Sequence, residues 1–221
     1  MDLRKELFKA QDLKYRDFHK ALIPTVNEEK LIGVRLPEIR KIAKAAYREN
    51  AENRLEYYEE IMVYGLTLSL KKCTAQEHIE DLTRFVPLID NWAVCDTCVS
   101  SFKFTNKYKK EMYGFVKSYI GKGEYETRFA VVMLMCYYLD DEYIDSVLEI
   151  LKGIKSDKYY INMAVAWALS VAFVKYREKT LSLLEENSLS KDVQNKTIRK
   201  IRESYRVSKE DKEYVKALKA G

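Results

Sequence analysis

Trp92 and Asp96 stand four residues apart in the stretch FVPLIDNWAVCDTCVSSF, residues 85–102. On a helix that spacing puts both side chains on one face. An aromatic plane beside a carboxylate can grip a cation, or steady a positive charge as it develops, through ring quadrupole and carboxylate charge together. The same two residues also suit plainer roles, a core tryptophan and a solvent-facing acid. The other tryptophan, Trp167, lies in the apolar run AVAWALSVAF, where periodicity alone reads as core. Arg128, in ETRFAVV, has the fork geometry to hold a phosphate, and equally to pair with Glu124 or Glu126.

Other reactive side chains are sparse. Cys73, Cys95, Cys98 and Cys136 are scattered with no secretory context, so reduced thiols are expected rather than a disulfide framework. Cys95-x-x-Cys98 sits inside an apolar helical pattern without a second Cys or His pair, and a closed structural zinc site needs four ligands. No metal and no cofactor is expected. His19 and His78 have no partners at ligand spacing and read as surface or structural residues.

The elements that must position these residues are helices. All three prolines lie before residue 88, and no alternating strand pattern is bounded by turn pairs. Residues 2–22 carry one or two helices ending before Pro24. Gly33 turns the chain, and Pro37 opens a helix on which Arg40, Lys41, Lys44 and Arg48 form a basic stripe opposite Ile39, Ile42, Ala43 and Ala46. Further helices are expected over 53–72, 75–86, 91–102, 106–120, 125–139, 141–153, 157–175, 177–187, 191–205 and 208–219.

A repeat orders them. A shift of 34 residues sets Arg128-Phe-Ala-Val-Val-Met over Asn162-Met-Ala-Val-Ala-Trp, carries Val147 onto Leu181 and Ile150 onto Leu184, and takes Ala164 to Ile198. Helix pairs at this period stack as solenoids, each pair burying its apolar face against its neighbours. The expected architecture is all-α, a right-handed α-solenoid forming a single domain over 1–221. Its inner helices would line a concave groove onto which Trp92, Asp96, Arg128 and Trp167 converge.

Composition agrees with a folded chain: 47% hydrophobic and 33% charged residues, with a net charge of +5. Residues 191–221 alone carry ten Lys/Arg against five Asp/Glu, a terminal helix either simply solvated or part of a phosphate-binding surface. No secretory signal and no membrane span is legible, so a cytoplasmic, monomeric protein is expected.

At these residues the sequence resembles the HEAT-like-repeat DNA alkylation repair family, the AlkD-like alkylpurine DNA glycosylases. The matching pieces are Gly33-Val34-Arg35-Leu36-Pro37-x-x-Arg40, the Trp92-x-x-x-Asp96 helix, Arg128, Trp167 in AVAWAL and the closing IRKIRESYRV, in order along the chain. The resemblance implies that duplex DNA carrying N3- or N7-alkylated purines is the partner, and that the N-glycosidic bond is hydrolysed. Asp96 then stabilises the oxocarbenium-like sugar and positions water, Trp92 and Trp167 offer aromatic faces, and Arg128 holds a flanking phosphate. Arg35, Arg40, Lys41, Lys44, Lys196, Arg199 and Arg202 are the expected backbone contacts. The chain departs from the family pattern at Ala93, where an acid is common, and at Met163 and Ser170, where basic residues are. Those departures keep two alternatives open: a HEAT-like module that binds nucleic acid without cutting it, and a solenoid that binds protein.

Overall fold

The computed structural model describes residues Met1–Gly221 and is all-helical, with thirteen α-helices, three short 3-10 turns and no strand. One isolated antiparallel bridge joins Gln11 and Val34. No helix is long and apolar enough to cross a membrane. The chain divides by its own contacts into two compact units, Met1–Met112 and Tyr113–Gly221.

The first unit holds α1 (Leu3–Lys9), α2 (Leu13–Lys20), α3 (Leu36–Arg48), α4 (Tyr58–Leu68), α5 (Ala75–Phe85) and α6 (Trp92–Val99). Their starts are written in the sequence. Asp2, Asp12, Thr74 and Asn91 accept backbone N–H bonds in the first turns of α1, α2, α5 and α6, and Pro37 lies in the first turn of α3. At the centre is α4, which packs against α1, α3, α5 and α6. Met62, Val63, Leu66 and Leu68 of that helix are buried.

The second unit begins within α7 (Lys109–Lys117) and continues through α8 (Glu124–Tyr137), α9 (Ile144–Gly153), α10 (Tyr159–Lys175), α11 (Arg177–Glu185), α12 (Lys191–Glu203) and α13 (Lys209–Ala217). Here α10 is central, flanked by α8 on one side and α12 on the other. It is apolar nearly all round, as a helix covered on several sides must be. The fully buried alanines Ala164, Ala166, Ala168 and Ala172 keep its surface low.

The 34-residue period is visible in this unit as a ladder of polar contacts. Lys179 bonds Asp145 at 2.7 Å, Lys152 bonds Glu186 at 2.6 Å and Arg177 bonds Asp211 at 2.8 Å, each joining residues 34 apart. Tyr176 to Asp141 spans 35 residues, and Tyr113 to Ser146 spans 33. Corresponding helices of successive repeats therefore lie side by side.

Three expectations are corrected. The helix expected over 53–72 exists only over Tyr58–Leu68. Before it, Leu55 adopts a left-handed φ of 57°, and the buried Glu60 carboxylate reaches back to the N–H groups of Glu56 and Tyr57. Asn53 donates to the Glu60 carbonyl, so side chains satisfy the backbone that a longer helix would have used. The helix over 91–102 is shorter, Trp92–Val99, and that over 106–120 is Lys109–Lys117. Of the two roles left open for the histidines, surface or structural, the second holds: His19 meets the Tyr58 hydroxyl at 3.1 Å, and His78 lies flat on Phe104 at 3.6 Å, both buried.

Candidate nucleic-acid site

In the first unit Asn91 caps α6 by accepting from Val94 N–H at 2.9 Å, which fixes Trp92 as the first helical residue and Asp96 one turn later. Both are half-buried, on the same helix face. The Trp92 Nε1–H donates to the Leu22 carbonyl at 2.8 Å, so the indole is tethered at its polar edge. That carbonyl belongs to the turn that closes α2, where Leu22 N–H bonds His19 O. On the opposite side Cys95 and Cys98 are fully buried, and burial pushes the Cys98 thiol well up. The C-x-x-C pair is core, and no group of three His, Cys, Asp or Glu side chains is placed to hold a metal ion.

The basic residues near α3 are held in different ways. Arg35 precedes the helix, donates through Nε to Asp12 at 2.9 Å and lies 4.9 Å over the Tyr15 ring. Arg40 reaches Ser101, just beyond α6, at 3.3 Å. Lys41 bonds Glu38, and Lys44 is exposed. The Asp12 carboxyl is held below its ordinary value by the Tyr15 N–H and by Arg35.

The loop carrying Arg35 has a support that sequence reasoning missed. Glu59, fully buried on α4, accepts N–H bonds from Ile32 at 2.9 Å, Gly33 at 2.7 Å and Val34 at 3.1 Å. Burial pushes this carboxyl up, and the three N–H groups pull the other way. Gly33 is required there: its φ is +93°, and a Cβ would fall 2.4 Å from the Arg16 Cβ.

In the second unit Arg128 is only 5% exposed and donates through Nη1 to the Tyr160 carbonyl at 2.9 Å. Tyr160 N–H in turn donates to Glu124, so α8 caps the first turn of α10. Trp167 is half-buried on α10, sharing a face with Met163 and Tyr159 at spacings of four. Met163 and Tyr159 line an open groove of about 1080 Å³ with Lys191, Lys196, Arg199, Lys200 and Arg202 of α12 and Lys219 beyond α13. The groove thus brings Lys196, Arg199 and Arg202 together. Lys191, Lys200 and Lys219 join them, and only the charge excess over 191–221 pointed that way. Asp192, the one acid lining the groove, bonds Lys196 and Asn162 and is held below its ordinary carboxyl value by them.

Six cations and one acid line this groove; Lys196 pairs with Asp192, and Arg199 and Lys200 pair with Glu203, which leaves the surface with an excess of positive charge. Residues 2–205 match the family model described as DNA alkylation repair enzyme, and the chain belongs to that family. No curated protein matches the sequence. Membership makes this a DNA repair protein with DNA as its substrate.

Proposed function

We propose that the protein is a monofunctional DNA glycosylase that hydrolyses the N-glycosidic bond of N3- and N7-alkylated purines in duplex DNA. Family membership over nearly the whole chain supports this reading, and the observation that carries it is the half-buried Trp92 and Asp96 on one face of α6. As the C1′–N bond breaks, its electron pair neutralises the cationic purine and positive charge moves to the sugar. Asp96 faces that charge and takes the proton of the water that adds to C1′, leaving free base and an abasic site. Trp92, its ring fixed through Leu22, offers a π face to the same charge. In the second unit Trp167 offers DNA an aromatic face of its own, and Arg128, only 5% exposed and bonded to the Tyr160 carbonyl, holds the start of α10 in place. Arg35, Arg40, Lys41 and Lys44 contribute backbone contacts, as do Lys196, Arg199 and Arg202. The helix pairs α8/α9, α10/α11 and α12/α13, joined by the 34-residue ladder, support HEAT-like stacking in the second unit.

The test is single-turnover release of 7-methylguanine and 3-methyladenine from methylated duplex DNA. The wild type is expected to release base, and Asp96→Asn, which removes charge without changing shape, to slow release by about a hundredfold or more. Undiminished release by Asp96→Asn would sink the role given to that residue. No release by the wild type at saturating enzyme would leave the second reading, a DNA-binding module that does not cut. The basic groove and the departures at Ala93, Met163 and Ser170 favour that reading.

A further inference from the structure

Packing does not account for Tyr159 at the start of α10. Tyr159 is 57% exposed and lines the basic groove. Its ring stands edge-on to Tyr160 at 5.3 Å, and Tyr160 lies 5.5 Å from Tyr125 of α8. On the other side the Lys196 ammonium sits 5.4 Å from the Tyr159 ring centre. A row of three rings and a cation therefore crosses the first turns of α8 and α10, reaches α12 and opens into the groove.

Duplex DNA offers such a surface only phosphates and groove edges, because its base faces are already stacked. A half-exposed ring among cations matches a different ligand, a strand whose bases are unpaired: cations follow the backbone while the ring takes a base face. We propose that this groove binds single-stranded DNA, with the phosphates along Lys196, Arg199 and Arg202 and one unpaired base stacked on Tyr159. Met163, one turn further along α10, gives the stacked base an apolar flank. Asp192 is held by Lys196 and Asn162 and is outnumbered by the six cations that line the groove with it. At about 1080 Å³ the groove is at or above the upper end for enclosed small-molecule pockets, about 300–1,000 Å³, and it is open, as a passing strand requires.

The inference does not depend on excision, and its test uses undamaged DNA, so it stands or falls apart from the glycosylase assay. Fluorescence anisotropy at low salt would compare a labelled oligothymidine of about 15 nucleotides with a duplex of equal length, for wild type, Tyr159→Ala and Tyr159→Phe. Tyr159→Ala is expected to weaken the single strand by about 5- to 100-fold, and Tyr159→Phe and the duplex to change by no more than about twofold. Equal loss on both DNAs, or loss on neither, would overturn the stacking role. Tighter binding of oligouridine than of oligothymidine would overturn the assignment to DNA.

Discussion

Glu59 has both oxygens committed to three consecutive backbone N–H groups. Glu59→Gln turns one acceptor into a donor facing those groups, an expected cost of about 2–3 kcal/mol in urea unfolding. Gly33→Ala meets a left-handed φ and the Arg16 side chain at once, and is expected to cost at least about 2 kcal/mol by the same measurement. The two histidines give a pH dependence. Burial lowers both below the ordinary 6.5, so below that pH the unfolded chain binds more protons at these residues than the fold does. Stability is therefore full above 6.5 and falls as pH drops through it. The melting temperature is expected to be lower at about pH 5.5 than at about pH 7.5, with a smaller difference in His78→Gln. Of this scale the sequence shows Gly33 as a turn and Trp92 with Asp96 as one helix face. It hides Glu59, whose partners lie 25 to 27 residues away and whose charge reads as solvent-facing on α4.

Among the helices, the ladder of the second unit contributes little energy where its side chains are exposed, as at Lys179, 46% accessible, and Asp145, 75%. Lys179→Ala is expected to shift stability by less than about 1 kcal/mol. The contact of α10 with α8 and α12 carries the weight. Ala164→Leu forces three added carbons into a site with no exposure, and is expected to cost about 1–3 kcal/mol in thermal or urea unfolding. Most helices and the 34-residue period are legible in the sequence, because apolar spacing and caps are local signals. The early residues of 53–72 mislead because their outcome is decided at a distance. Arg4 of α1 pairs with Glu56 and Glu60, and the paired Glu60 caps the chain where a helix would have continued.

For the molecule as a whole, the charge excess of residues 191–221 becomes a surface with a measurable signature. DNA affinity is expected to fall linearly with salt on logarithmic axes, and replacing Arg199 and Arg202 together with alanine to lower that slope by up to about two. An unchanged slope would remove α12 from the interface. The sequence shows the groove as a charge excess; that Tyr159 stands beside Lys196, with Tyr160 against it, is decided by how α10 and α12 pack, which no local pattern carries.

The even spacing of the ladder also bears on how the protein is made. Rungs that join residues 33 to 35 apart can close as each new helix pair emerges from the ribosome, with no wait for a distant segment of chain. Growth by one pair at a time leaves only the newest apolar face uncovered, which keeps the unfinished chain short of sites for aggregation.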